Sequence, residues 1–358
     1  MILTAMLYSH PSKVNEMALG FDVSGGAPRI CVVFPGALGD FLCFLPTLRL
    51  LSAHAPVDLF ARSEFADLVP PAVKVCSSER HEIAELFVPG AAPTKRLCDF
   101  FRGYDSVYSW LGSQDREFVQ SLQIVSQGRA RVFAFRPTTG GIVHQADYYL
   151  SCIRGKGQGS AIPVIAPKPE MMAWSESYWA QHSLHGKPVL TLAPGSGSKE
   201  KNWPVNSYGA VAEWWASQTQ GAVVVIAGPV EAERGGLEPL LDHTVAAIDL
   251  NLGQVAALLK RSALYLGNDS GITHLAAAVG VRTVALFGPS EVRRWAPRGE
   301  RVTVLSRNVE CSPCDLPVMK NCLHRKCLTE FAVEKVIAEL SNLPEMASLT
   351  RLGPGIRV

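Results

Sequence analysis

The stretch Ala263–Ser290, ALYLGNDSGITHLAAAVGVRTVALFGPS, constrains the fold of this chain more tightly than any other. Ala263–Leu266 is a short apolar run, Gly267–Gly271 is a polar turn cluster, and His274–Ala278 is a helix-forming run that Gly280 stops. Thr283–Phe287 then reads as a buried parallel strand. Strand, turn, helix and strand in so short a space make a βαβ unit. Its turn sets the Ser270 and Gly271 amides at the positive end of a helix, where unpaired N–H groups favour a phosphate. Asp269 or Ser270 can equally serve as an ordinary helix cap.

A second unit of the same kind lies near the other end of the chain. Arg29–Phe34 is a strand candidate, Pro35–Asp40 a tight turn, and Phe41–Leu51 an apolar helix. Asp40 stands at the helix start, where a carboxylate is a common cap. The GxxGD pattern is a weaker signal than a full GxGxxG fingerprint. Two phosphate-type loops so far apart imply two Rossmann-like halves facing each other. A third loop, Pro194–Pro204, follows a strand and runs into a helix with a favoured helix-start proline, Pro204. Its glycines allow close backbone approach, Ser196 supplies a hydroxyl, and Lys199 or Lys201 supplies charge for a diphosphate. It lacks the GxxxxGK[ST] arrangement of a Walker loop, which argues against nucleotide hydrolysis. Ala227–Glu231 ends another strand, and Glu231 there can accept hydrogen bonds from ribose hydroxyls or cap the next helix.

At 358 residues, with 47% hydrophobic and 18% charged residues, the chain can bury two ordinary cores. A net charge of +2 implies no strong field for nucleic acid or membrane. The longest apolar stretch, Ile30–Leu51, is interrupted by Gly36, Gly39, Asp40 and Pro46, too broken for a transmembrane helix. The opening MILTAMLYSHPSK has no basic region before its apolar run, so no secretory signal is read and the cytoplasm is the expected location.

The expected organisation is a leader over residues 1–28, an N-terminal Rossmann-like domain over 29–165 and a linker and helix over 166–187. A C-terminal Rossmann-like domain follows over 188–345, with a tail over 346–358. Short apolar segments such as Val57–Phe60 and Ala130–Phe135 alternate with helical ones such as Glu117–Ser126, the mark of a parallel sheet. The second half restarts with Pro188–Ala193 and Ala222–Ala227 as strands. Trp203–Ser217, Leu252–Arg261 and a last segment from about Thr329 to Leu340 read as helices. The three prolines of Ala161–Pro169 suggest an interdomain hinge.

Of the nine cysteines, Cys31, Cys43, Cys76, Cys98 and Cys152 are scattered beside apolar residues and read as small hydrophobes. Cys311, Cys314, Cys322 and Cys327 are clustered, a spacing that can bring four thiolates around one tetrahedral ion, zinc or iron. Their spacers match no standard zinc ribbon or finger, and a reduced loop is the alternative.

Taken in order, GALGDFLCFLPTLRLL, PGSGSKEKNWPVNSY, AGPVEAE and NDSGITHLAAAVGVRTVALFGPS resemble glycosyltransferase family 9, the bacterial ADP-heptose:lipopolysaccharide heptosyltransferases. The resemblance covers roughly Arg29 to Lys335. It implies an α/β GT-B fold, two Rossmann-like domains whose parallel sheets face an interdomain cleft. The acceptor would sit mainly on the first domain and the nucleotide-sugar donor on the second. It further implies transfer of heptose from ADP-heptose to a glycan such as the lipopolysaccharide core, with inversion and no catalytic metal, at the inner face of the inner membrane with transient contact there. On the family pattern Asp40 matches the general base, Lys201 the donor-phosphate lysine and Glu231 the ribose-binding acid. Asp269, Ser270 and Gly271 match the sugar and diphosphate loop, and His274 the histidine after it, with Ser196 on the donor loop. His274 also fits a hydrogen-bonded structural role.

Some features exceed the family pattern. The leader has no counterpart, and the segments between Ala61 and Tyr149 match no motif, so the sequence leaves the acceptor open: glycan, lipid-linked or protein. In relatives that modify autotransporter proteins a similar cysteine cluster holds iron, which keeps protein O-heptosyl transfer as an alternative. A non-catalytic nucleotide-sugar-binding module is another, opposed by the intact Asp40. A dinucleotide-dependent oxidoreductase is disfavoured, because Gly36–Asp40 lacks the triple-glycine spacing and sets an acid where a pyrophosphate would lie.

Overall fold

The computed structural model describes residues 28–349, apart from 91, 139–140, 156–160, 229–230 and 232–234. The leader read over residues 1–28, apart from Pro28, and most of the tail read over 346–358 fall outside the described residues.

Two all-parallel sheets organise the chain. The first joins β1 (Ile30–Val33), β2 (Val57–Ala61), β3 (Val73–Ser77), β4 (Ser106–Ser109) and β5 (Ala130–Val132) in the order β3-β2-β1-β4-β5. The second joins β6 (Val189–Ala193), β7 (Ala222–Ala227), β8 (Val245–Ile248), β9 (Leu264–Asn268), β10 (Thr283–Phe287) and β11 (Val302–Ser306) in the order β11-β10-β9-β6-β7-β8. Counted from β6, the second sheet has the 3-2-1-4-5-6 order of the dinucleotide fold, and the first has the same order one strand shorter. The central strands are buried along their whole length, as helices on both faces demand. Thus Ile30 and Val32 face one apolar cluster while Cys31 and Val33 face another.

Strand order decides where a ligand sits. In each sheet the order reverses beside the first strand, between β1 and β4 and between β6 and β9, and the crevice outside the carboxyl ends of those strands is where such folds bind ligands. The loops after β1, β6 and β9 carry Gly36–Asp40, Gly195–Lys201 and Asp269–Gly271.

The helix after β1 runs Leu38–Ser52, longer than the sequence reading, and continues through Pro46. Its N-cap is Ala37, so Asp40 lies in the first turn and is not the cap. Ser270 does cap the Gly271–Val279 helix, accepting from the Thr273 amide. The helix expected from Trp203 begins at Val205, with Pro204 at the cap position. The helix expected from about Thr329 is split: Lys326–Thr329 is a short turn and Val333–Ser341 the helix proper, packed on the second core. The Met346–Leu349 helix joins the same core.

The Leu38–Ser52 and Gly271–Val279 helices pack against each other, and Leu45 and Leu48 share one buried apolar cluster with Leu275 and Ala278. The connecting segment is tied to both halves. The Ile165 amide donates to the Ala278 carbonyl at 2.8 Å, Arg49 donates to the Val164 carbonyl at 2.5 Å, and Lys168 pairs with Asp67 at 2.8 Å. No described helix is long and apolar enough to cross a membrane.

Candidate functional site

A cavity of about 750 Å³ opens between the two sheets. Ser196 and Glu231 line it beside the Ser270–Gly271 turn, and Ile226, Ala247, Leu252 and Val255 give it an apolar end. A smaller cavity of about 240 Å³ shares Ala37, Gly39, Gly197, Ser270 and Gly271 with it and adds Asp40, Arg136, Lys201, Asp269, His274 and Trp295. The fold thus gathers Asp40, Lys201, Asp269, Ser270, Gly271 and His274 into one space and places Ser196 and Glu231 in the adjoining one. Lys199 lines neither. A third, polar cavity of about 490 Å³ lies at the carboxyl ends of β1–β3, lined by Arg62, Glu64, Ser77, Ser78 and Glu79, and shares Arg62, Ser63 and Glu64 with the 750 Å³ one.

Glycines make this gathering sterically feasible. A β-carbon on Gly36 would stand 2.7 Å from that of Asp40, and one on Gly195 would collide with the Glu231 carboxyl group. Glu231 uses that space, its Oε2 accepting from the Gly228 amide at 3.1 Å. Asn268, fully buried at the end of β9, accepts from the Trp203 amide at 3.0 Å and donates to the Pro194 carbonyl at 2.7 Å. One side chain therefore pins both ends of the 194–203 loop to the strand that carries Asp269. Ser196 Oγ lies 2.6 Å from both Asn202 Oδ1 and the Ser198 carbonyl, so its hydroxyl stabilises the loop while facing the cavity.

Lys201 Nζ stands 2.7 Å from Asp269 Oδ2. The lysine and the acid expected to meet different parts of a ligand meet each other first, in the cavity that Ser270 and Gly271 also line. Asp40 pairs with Arg136, Nη2 to Oδ1 at 2.7 Å, a contact off the hydrogen-bonding direction that leaves the buried Oδ1 with no aligned donor. Burial pushes the Asp40 carboxyl above its ordinary range, and Arg136 and Lys201 restrain the rise. His274 is buried and its ring is pushed down to about 4 by burial, so it is neutral at pH 7, with Nδ1 4.0 Å from Cys43 Sγ. It supplies packing and a neutral ring edge to the site, and no charge.

Sequence reasoning missed Arg136. It follows β5 in a segment without a motif, and the signal available was a lone arginine after the aromatic Phe133 and Phe135. It also missed the contacts that close the cleft. Arg298 grips Asp147 with two bonds of 2.5 and 2.6 Å and reaches the Ala161 carbonyl at 3.3 Å. His144 Nε2 donates to the Ala296 carbonyl at 2.8 Å while its Nδ1 accepts from the Ala146 amide.

Cys311, Cys314, Cys322 and Cys327 line one small cavity with His324, but among the described residues no three His, Cys, Asp or Glu side chains are arranged to hold an ion. The sulfurs turn to local partners: Cys314 Sγ donates to the Cys311 carbonyl at 2.9 Å, and Cys322 Sγ accepts from the Arg325 amide at 3.4 Å. Burial, with help from the neighbouring thiols, pushes Cys327 up to about 11. Of the five scattered cysteines, Cys31 and Cys43 are buried as expected, whereas Cys76, Cys98 and Cys152 are half-buried.

Comparison with known proteins agrees with this geometry. Residues 161–323 match the family model described as glycosyltransferase family 9 (heptosyltransferase). Lipooligosaccharide heptosyltransferase 2 of Campylobacter jejuni is 31% identical over 169 residues, covering 44% of this chain and 52% of that one. The chain thus spans about half the length of the curated relatives it matches. Among solved structures, a glycosyl transferase family 9 protein from Veillonella parvula superposes with a TM-score of 0.69 at 20% identity, covering 90% of this chain and 97% of the other. ADP-heptose lps heptosyltransferase II of E. coli gives 0.65 at 19% identity, covering 90% and 98%. These two likenesses establish a GT-B fold. With the donor-half motifs matched in sequence and set around one cleft, residues 161–323 are similar to glycosyltransferase family 9.

Proposed function

We propose that the protein is an inverting glycosyltransferase that moves heptose from ADP-heptose to a bacterial glycan of the lipopolysaccharide-core type. The observation that carries this reading is the convergence of Asp40, Lys201, Asp269 and the Ser270–Gly271 helix terminus on one cavity adjoining the larger one that Glu231 lines. In the proposed division, residues 29–165 hold the acceptor and 188–345 the donor, joined through 166–187. The diphosphate lies against the Ser270 and Gly271 amides and Lys201, the ribose against Glu231, and the base toward Ile226, Leu252 and Val255. The polar cavity at Arg62, Glu64 and Glu79, which shares lining residues with the 750 Å³ one, is the proposed path of the acceptor.

The chemistry follows from those positions. The acceptor hydroxyl oxygen bonds to the anomeric carbon as the bond from that carbon to the phosphate oxygen breaks, and the hydroxyl proton passes to Asp40. Nucleoside diphosphate departs with the bonding electrons, and fixed donors at Lys201 and the helix terminus stabilise the charge it gains. The unsatisfied Oδ1 of Asp40, which has no aligned donor, and its raised pKa suit a base. No step requires a metal. A zinc or iron ion at the four cysteines is a separate proposal resting on the donor set, and it would support folding only. A cytoplasmic location, with contact at the inner membrane face, belongs to the same reading.

The test is turnover of the purified protein with ADP-, GDP-, UDP- and dTDP-sugars, offered with lipopolysaccharide core, a lipid-linked glycan or an autotransporter-type protein. ADP-heptose with the core glycan is expected to release ADP and form a product of inverted anomeric configuration, read by NMR. Transfer to the protein acceptor alone would move the chain to the protein-modifying alternative. Tight nucleotide binding with no transfer to any acceptor would reduce it to a binding module.

A further inference from the structure

We infer that Arg136 is a positioning residue for Asp40, and that Trp295 of the opposite domain holds it there only while the cleft is closed. The inference rests on the reading of Asp40 as the base. The Arg136 guanidinium carbon lies 4.1 Å from the ring centroid of Phe135 and 4.7 Å from that of Trp295. Its Nη1 stands 3.0 Å from the Tyr149 hydroxyl and its Nη2 2.7 Å from Asp40 Oδ1. A planar cation between two aromatic faces, with two nitrogens engaged, has little freedom left. Phe135 belongs to the first domain, but Trp295 ends the short Val292–Trp295 helix of the second.

The residues just after Trp295 fix it across the cleft. Ala296 accepts from His144, and Arg298 grips Asp147, both in the first domain. One segment, 295–298, therefore supplies both the latch and the aromatic wall. Opening the cleft withdraws the wall, returns the guanidinium to water and restores its rotamers. The orientation of the Asp40 carboxylate is in this way tied to closure, the moment at which both substrates are enclosed.

The other groups around Asp40 do not duplicate this role. Cys43 on its own helix and Tyr149 on the Gln145–Arg154 helix are both pushed up by burial and stay neutral. His274 on the Gly271–Val279 helix is neutral at pH 7, and Lys201 on the donor loop is already paired with Asp269. Arg136 is the cation that engages Asp40 directly.

The experiment follows the Asp40 carboxyl carbon by 13C NMR as pH is raised, in the ligand-free full chain, with the resonance assigned by its loss in Asp40→Asn. Arg136→Gln is expected to raise the Asp40 midpoint by about one pH unit or more, and Arg136→Lys to recover part of that shift. Trp295→Leu is expected to raise it by less, Trp295→Phe to leave it at the wild-type value, and Trp295→Leu to add nothing once Arg136 is Gln. A wild-type midpoint in Trp295→Leu, or an undiminished Trp295→Leu shift in the Arg136→Gln background, would overturn the inference. The titration needs neither acceptor nor turnover. The expected shifts in a protein that transfers nothing would refute the transferase reading and leave this coupling intact.

Discussion

Leu38 fills the space that a side chain on Gly271 would need: a β-carbon there would stand 2.8 Å from Leu38 Cβ and 2.9 Å from its Cγ. These residues begin two helices from opposite domains, and their first turns meet at the cleft. Gly39 is close to the same spot, its notional β-carbon 3.7 Å from Gly271 Cα. The glycine of the NDSG turn is therefore needed for domain apposition as well as for a bare amide. Gly271→Ala is expected to lower stability by about 1–3 kcal/mol through overpacking and to weaken nucleoside diphosphate binding with it. Adding Leu38→Ala should recover part of both. Calorimetric melting and titration with ADP check this, and a Gly271→Ala protein of wild-type melting temperature and affinity would refute it.

Asp40→Asn removes a buried carboxylate whose pKa is raised mainly by burial, while keeping its size. If it is the base, transfer falls by about 10²–10⁴-fold with ADP affinity retained. An acid whose folded pKa lies above its unfolded value stabilises the fold below the unfolded pKa, and loses that contribution as pH rises through the folded one. The wild type should therefore lose stability relative to Asp40→Asn as pH climbs through the region just above the ordinary carboxylate range. Paired melting curves across pH read this directly, and near-normal turnover of the variant would remove Asp40 from the mechanism.

Two lysines near the same loop separate a specific phosphate site from a diffuse basic one. Lys201 lines the smaller cavity and pairs with Asp269 at 2.7 Å, whereas Lys199 is exposed and meets neither cavity. Lys201→Ala should lower ADP affinity and turnover together, by about tenfold or more for a charge-assisted contact, and Lys199→Ala should do little. Isothermal titration with ADP decides, and equal losses would favour the diffuse loop.

The cysteine cluster yields a contrast between its members. Cys327 is 6% exposed within the second core, while Cys311 is exposed. If one zinc or iron ion binds per chain, Cys311→Ser lowers metal content and melting temperature together. Cys327→Ser lowers the melting temperature even in chelator-treated protein, because it sets a hydroxyl in an apolar core. Elemental analysis of untagged protein with paired melts separates the cases, and a metal-free wild type whose stability Cys311→Ser leaves unchanged would dispose of the ion.

The three strand-to-helix loops were legible because each is a local pattern: an apolar strand, a glycine turn, then a helical period. Local rules also found the Leu252–Arg261 helix and the Ala222–Ala227 strand at their observed ends. They misassigned Asp40 as a cap because cap and first turn differ by three residues, which backbone geometry decides and composition does not. Arg136 and Trp295 carry no local signature, since the contacts that give them meaning, Arg136 with Asp40 and Trp295 with Arg136, join residues far apart in the chain. Asp269 was read as a ligand contact, yet its nearest partner is Lys201, sixty-eight positions away in the chain.

The contact between Asp147 and Arg298 spans 151 residues of sequence and joins the two domains. Burial alone would raise the Asp147 carboxyl, but the hydrogen bonds and charge of Arg298 outweigh it and the net shift is downward. Both side chains keep partial exposure, at 21% and 33%, so solvent screens the pair and its worth to overall stability is about 1 kcal/mol or less. Its effect on the cleft should be larger, because the same segment carries the Ala296 carbonyl and the Trp295 ring. Arg298→Ala is therefore expected to melt within a few degrees of wild type while showing an expanded radius of gyration by small-angle X-ray scattering. Saturating ADP should narrow that difference, since a ligand bound across the closed cleft favours the closed state. Asp147→Asn should behave as a milder version, because its amide can still accept one of the two Arg298 bonds. Scattering curves for Arg298→Ala that match wild type without nucleotide would show that the apolar contact between Leu48 and the Gly271–Val279 helix holds the domains together unaided.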